Sequence, residues 1–364
     1  MAYESLYLHV PFCAAKCDYC AFYSEAGAAP ARRRRYLDRL RAELAAASQP
    51  EPLASVFIGG GTPSLLEPAE LDELLRLVTT HFQLAPAVEW TVECNPDSLD
   101  GAKIDRLARH GVNRVSLGVQ SFRPELRAIL GRRGSLGDLA ATLARLRTAG
   151  IVRQNLDLIY AIPGQSLAVW REDLARVADL GVGHVSAYAL TIEEGTRLAA
   201  RLGAPDDASF EAMWDLADEV LGGAGIRRYE ISNFARPGEE CRHNLAIWHG
   251  GTYLGCGPAA TSFDGRDRWT QPPALDDWLA GLPPERDELP PRDRACEILA
   301  FGFRTLVGWQ WPAFRARTGY DAQALRGPEL AELVRHGLLA PRGDGLAPTR
   351  AGLLLNDSLL AHLL

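Results

Sequence analysis

Six strand-then-helix units in roughly the first 200 residues, each near 30 residues long, predict an α/β protein with a parallel sheet and helices outside. Eight such units would close a TIM-like barrel; six predict a partial (β/α)6 barrel with an open side. Four prolines in 283–291 mark a linker. Beyond it, a helix, hairpin and helix predict a small C-terminal winged-helix-like α+β domain. The expected division is 1–225 for the barrel, 226–285 for a connecting segment and 286–364 for the C-terminal domain.

The first unit opens with the alternating run Ser5-Leu6-Tyr7-Leu8-His9-Val10, a strand by its period. A helix over about 31–47 follows, with Tyr36, Leu37, Leu40 and Leu44 on one side. The second unit is a strand at Leu53–Ile58, the loop Gly59-Gly60-Gly61-Thr62-Pro63, and a helix from about Pro68 to Phe82 striped by Leu71, Leu74, Leu75 and Val78. The third pairs Val88–Glu93 with a short helix, Ala102–His110, stopped by Gly111. The fourth strand is Arg114–Val119, with helices over about 123–130 and 136–149, the second ended by Gly150. Strand Arg153–Tyr160, helix 166–180 and strand His184–Leu190 complete the six. A helix over about 206–223, a strand at Arg228–Ile231 and a glycine- and aromatic-rich stretch, 241–263, come next. In the tail, helices are expected at Arg294–Thr305 and 328–336, strands around the turn Gly343-Asp344-Gly345, and a last helix with Thr349 as N-cap.

Composition narrows the function classes. Hydrophobic residues make up 47% and charged residues 23%, as in ordinary globular proteins. A net charge of −7 gives no electrostatic reason to expect nucleic acid. The run Arg32-Arg33-Arg34-Arg35 reads as a solvated helix start, an anion site being the other reading. No apolar run is long enough for a membrane span, and no charged segment followed by an apolar one suggests a signal peptide. Seven cysteines, an odd number, point to a reducing compartment with a metal centre, here the cytoplasm.

Three of those cysteines, Cys13, Cys17 and Cys20, lie just after the first strand, where α/β proteins place their chemistry. Clustered thiolates suit zinc or an iron–sulfur cluster. A structural zinc site wants four ligands in two short pairs, and no second pair follows. Three thiolates on a four-iron cluster leave one iron open to a substrate. The other reading is three buried thiols that happen to cluster.

The later strand ends add polar features. The glycine loop 59–61 lets backbone groups approach a ligand closely. Glu93 and Gln120 end the third and fourth strands, and Asp157 sits in the apolar fifth, where a carboxylate is costly unless paired. Arg132 offers a guanidinium suited to a carboxylate. Each alone reads equally well as an ion pair; four in succession favour a ligand site.

The cysteine spacing resembles that of the radical S-adenosylmethionine (SAM) enzymes. A narrower resemblance covers almost the whole chain. Leu6–Cys13, Phe57–Ser64, Glu93–Pro96, Gly111–Phe122, Asn155–Gln165 and Tyr229–Asn244 look like the oxygen-independent coproporphyrinogen III oxidase family. That resemblance implies Cys13, Cys17 and Cys20 as ligands of a [4Fe–4S] cluster. It implies SAM contacts at Tyr7, Tyr19, Gly60, Gly61, Thr62, Glu93, Gln120, Arg132 and Asp157.

The family has two branches. Its oxidases carry a fourth cysteine two residues after the third and a longer N-terminal extension; here Phe22 holds that position and twelve residues precede Cys13. Both features match the branch of heme chaperones. That branch has a heme-associated His-Asn, two variable residues, Tyr and Trp, here His243-Asn244-Leu245-Ala246-Ile247-Trp248. Ile247 replaces the tyrosine, and Thr261 and Gly134 stand where histidines are usual. The Pro237-Gly238 turn is expected to present His243 on a loop as a heme ligand, beside Trp248 as an apolar face; the other reading is that His243 and Asn244 tie that loop to the barrel. The implied function is a heme chaperone that binds cluster, SAM and heme and passes heme to an acceptor protein, with a flavodoxin or ferredoxin as electron donor. The alternative is oxidative decarboxylation of coproporphyrinogen III.

Overall fold

The structure, a computed structural model, describes residues 2–201 and 209–364. The six expected strands are Ser5–Val10, Gln49–Gly60, Phe82–Cys94, Arg114–Gln120, Arg153–Tyr160 and His184–Ala189. They pair in chain order and all in parallel, giving the open (β/α)6 barrel. Side chains alternate between the two faces of a strand. Val115, Leu117 and Val119 of the fourth strand and Leu156 and Leu158 of the fifth fill one buried face, while Ser116, Asn155 and Asp157 take the other.

Helix Pro68–His81 shows how the covering helices form. Glu67 and Glu70 make a reciprocal capping box at its start, with Pro68 in the first turn. Leu71, Leu74, Leu75 and Val78 then recur at helical spacing and all are buried. Leu74→Ala is expected to cost about 2–5 kcal/mol, seen as a lower thermal midpoint. Of the helix expected over 206–223, residues 206–208 lie outside the described residues; Phe210–Gly223 is helical.

The segment 226–285 departs from expectation. It is no separate connector but extends the barrel sheet at both edges, to twelve strands. At one edge, Arg227–Arg228 and Asn233–Ala235 form a hairpin that pairs antiparallel with the sixth strand. A single strand, Arg228–Ile231, was expected there. The chain turns instead, with Tyr229 N–H donating to Asn233 O and Ser232 N–H to Glu230 Oε1. At the other edge, Tyr253–Cys256 pairs parallel with the first strand, and Thr261–Phe263, Arg268–Thr270 and Glu285–Asp287 follow antiparallel. The last of these falls inside the expected proline linker. Its prolines flank the paired residues at the sheet's edge, where a missing N–H is tolerated.

The C-terminal part has its own core, around Phe303, Phe314, Leu330 and Leu359. Helices Pro291–Gly302, Trp311–Thr318 and Ala322–Arg335 precede the hairpin Leu339–Arg342 and Gly345–Pro348, joined by Trp309–Gln310 as a third strand. The helix expected at 328–336 is the second half of a longer one, kinked at Arg326, two residues before Pro328. Thr349 caps the next helix as expected, its side chain accepting from Gly352 N–H at 3.1 Å.

Candidate functional site

A cavity of about 860 Å³ opens beside the ends of the barrel strands, and residues from seven stretches of chain meet there. Cys13, Cys17, Tyr19 and Cys20 come from the loop after the first strand. Gly60, Gly61 and Thr62 come from the second strand's end, Glu93 from the third, Gln120 from the fourth, Arg132 from the helix-to-helix loop after it, and Asp157 from the fifth. Tyr188, from the sixth strand, completes the wall. Tyr7 is not among the lining residues. Its hydroxyl lies 3.1 Å from His9 Nδ1, beneath the glycine loop.

The glycines are required by packing. A Cβ on Gly61 would come within 2.8 Å of the carbonyls of Val10 and Phe12, and one on Gly60 would strike the His9 ring. Gly60 also has φ +103°, which other residues rarely adopt. With no side chains in the way, Gly60 N–H reaches Glu93 Oε2 at 3.1 Å. Gln120 adopts φ +68° at a bulge where the fourth strand meets the fifth, a strained position for a non-glycine residue at a ligand cavity.

Two hydrogen-bond clusters organise the polar wall. Thr62 Oγ1 donates to Cys13 Sγ at 3.7 Å and accepts from Asn95 Nδ2 at 3.3 Å. Arg132 donates to Asn95 Oδ1 at 2.5 Å, to Gly118 O at 2.6 Å and to Cys17 Sγ at 3.7 Å. A Cβ on Gly118 would collide with this guanidinium. Arg132 thus faces sulfur, the Asn95 amide and a main-chain carbonyl. In the second cluster, Asp157 accepts from Ser116 Oγ and Asn155 Nδ2 at 3.0 and 2.7 Å. Asn95, Ser116, Asn155 and Tyr188 were not foreseen. Asn95 follows Glu93 in the third strand's end and could have been read from that position.

The donor set fits an iron–sulfur cluster. Burial pushes the Cys13 and Cys20 thiols up, so they stay neutral without a cation. Thr62 and Arg132 aim O–H and N–H donors at sulfur, as thiolates require. None of the three cysteines is in a disulfide. Among the described residues, no three His, Cys, Asp or Glu side chains converge on a single ion. A four-iron cube takes each thiolate on a different iron and needs no such convergence.

Glu93 and Asp157 keep an accessible face toward the cavity while protein surrounds them otherwise. Burial, then the neighbouring Asp157 charge, pushes Glu93 up to about 7, against the Gly60 N–H. A folded pKa above the usual 4.5 gives stability that is complete below about pH 4.5 and is lost as pH rises through 7. Relative to Glu93→Gln, the cofactor-free protein should therefore lose at most roughly 3 kcal/mol across that window. Thermal midpoints of both proteins against pH check this.

His243 is placed differently from expectation. The stretch after the Pro237-Gly238 turn is a helix, Arg242–Trp248, not a presenting loop. Glu89, buried under its start, accepts the His243 N–H at 3.0 Å. The His243 ring is 3% exposed, 2.8 Å from Ser55 Oγ, and lies against Phe57. Burial lowers its pKa to about 4. This imidazole ties the helix to the second strand. Trp248, at the helix's other end, stacks on Phe301 at 6.2 Å and lines a second cavity of about 500 Å³ with Ile247, Tyr253, Thr261, Phe263 and Ile298.

Fold and cavity together define a radical SAM protein, and residues 7–177 match the Radical SAM superfamily. Residues 289–355 match the HemN C-terminal domain. The chain is 41% identical over 371 residues to the heme chaperone HemW of Mycobacterium tuberculosis, covering 98% of this chain and 88% of that one. It is 35% identical to heme chaperone HemW of Escherichia coli, covering 98% and 97%. It is 34% identical to the mouse radical S-adenosyl methionine domain-containing protein 1, mitochondrial, covering 99% and 87%. The chain belongs to the HemW family of heme chaperones. The coproporphyrinogen III oxidase HemN of Escherichia coli has the same fold, with a TM-score of 0.86 at 22% identity over 99% of this chain and 89% of that one. Among the described residues, no helix is long and apolar enough to cross a membrane.

Proposed function

We propose that this chain is a heme chaperone that holds a [4Fe–4S] cluster and SAM in the main cavity and passes heme to an acceptor protein. The observation that carries the reading is the convergence of the three cysteines with the glycine loop, Glu93, Gln120, Arg132 and Asp157 on one cavity. Cys13, Cys17 and Cys20 would hold the cluster, which when bound supplies an electron and an open iron. Thr62 and Arg132 hold the sulfurs as acceptors. The glycine loop gives a ligand access to backbone groups, and Glu93 and Asp157 accept hydrogen bonds from ammonium or hydroxyl groups. A cation beside Glu93 would favour its ionised form, so SAM binding near neutral pH should release a proton.

Heme, in this reading, uses the second cavity, whose aromatic wall of Trp248, Phe301, Tyr253 and Phe263 suits a flat apolar ring. His243, at the other end of the same helix and packed on Ser55 and Phe57, does not line that cavity and in this reading does not ligate iron. A flavodoxin or ferredoxin serves as electron donor, and the working compartment is the cytoplasm. Phe22, 70% exposed, stands at the rim of the main cavity two residues past Cys20. It offers no fourth sulfur there, which separates this chain from the oxidases. Incubation of the reconstituted protein with coproporphyrinogen III, SAM and reductant tests this. No protoporphyrinogen is expected; its formation would make the chain an oxidase.

A further inference from the structure

We infer that Tyr229, His184 and Asn155 are positioning residues, forming a one-way chain of hydrogen bonds that holds the Asp157 carboxylate as an acceptor for the ligand of the main cavity. This rests on the reading that Asp157 contacts SAM. Asn155 Nδ2 donates to Asp157 Oδ1 at 2.7 Å, and its Oδ1 lies 2.6 Å from His184 Nδ1. His184 Nε2 lies 2.8 Å from the Tyr229 hydroxyl, which accepts the Cys241 N–H at 3.1 Å. His184 and Asn155 are 2% and 3% exposed, so water does not complete these bonds.

The direction of the chain follows from its far end. A backbone N–H only donates. Tyr229 oxygen therefore receives from Cys241, and among the described residues His184 Nε2 is the acceptor its own proton reaches. Burial, then the Arg114 charge, holds the His184 pKa well below its usual value, so the ring is neutral and carries one proton. With Nε2 accepting, that proton sits on Nδ1 and is donated to Asn155 Oδ1. The Asn155 amide NH2 is left to face Asp157. The reverse polarity would need a protonated Asp157 and a flipped Asn155, and, with the Tyr229 oxygen accepting from both His184 and Cys241, it would leave the Tyr229 proton no acceptor among the described residues. Only the polarity that favours ionised Asp157 satisfies every group.

That bias matters because burial pushes the Asp157 pKa up, with Ser116, Ser186, Asn155 and Arg132 opposing. Glu93, Tyr19 and Tyr188 also face it, and their negative forms would disfavour its charge. Without the chain, only Ser116 and Ser186, accepting from Asn155 Nδ2 at 2.7 and 3.0 Å, keep the amide from turning its oxygen toward the carboxylate.

The test is calorimetric titration of SAM into anaerobically reconstituted wild type, Tyr229→Phe, His184→Leu and Asp157→Asn between about pH 6 and 9. Tyr229→Phe and His184→Leu should bind about tenfold more weakly near pH 7 and approach wild type near pH 9, with wild-type cluster content. Either variant suffices if the other fails to fold. Unchanged affinity, or a loss equal at every pH as from general loosening, overturns the chain. If Asp157→Asn binds SAM as wild type does, the reading of the site itself fails, whatever the other variants show.

Discussion

Cys13→Ala, Cys17→Ala and Cys20→Ala are each expected to abolish a stable iron–sulfur centre, with iron and acid-labile sulfide falling to background after reconstitution. Two thiolates do not hold a site built for three, and neighbouring side chains offer no substitute. Ser24 and Thr62 are neutral hydroxyls, and Cys94, the one other cysteine lining the cavity, is 4% exposed. Burial pushes the Cys94 thiol up to about 12, so it stays neutral. Replacing Cys94, Cys241, Cys256 or Cys296 should leave iron content near wild type. Full iron content in all three loop variants would sink the ligand assignment.

Trp248→Ala is expected to weaken heme binding at least about tenfold while leaving iron, sulfide and SAM binding intact. The indole forms one wall of the second cavity, stacked on Phe301, with Arg304 over its ring at 4.4 Å. Truncating a central aromatic in a binding cavity typically costs about 2 kcal/mol or more. His243→Ala makes the informative contrast. It removes a buried ring and leaves Ser55 Oγ and a hole beside Phe57, so it should lower the thermal midpoint with little change in the heme spectrum of the folded fraction. An altered Soret band in His243→Ala with wild-type stability would restore the histidine as a heme ligand.

The barrel was legible because its evidence is local. Each strand end carries a glycine, a proline or a polar residue, and each covering helix shows its apolar stripe. The cavity-lining residues could be named because they sit at those ends. What escaped the sequence depends on distant pairing. Nothing near Tyr253 announces that Tyr253–Cys256 lies beside Ser5–Val10, more than two hundred residues away. Tyr229 lies in a recognisable segment, yet its role comes from His184, reached through the fold. His243 left two readings open because a histidine after a Pro-Gly turn reads as presented, whereas it lies in a helix against the second strand. The buried Glu89 that caps its helix comes from the third strand, and sequence shows no link between them.

The most direct test of the account is an absorbance titration of the anaerobically reconstituted protein with heme. A saturable Soret band, reached with the cluster's absorption retained and reduced in affinity by Trp248→Ala, is the expected result. A titration that adds only the spectrum of free heme would contradict the heme-chaperone function.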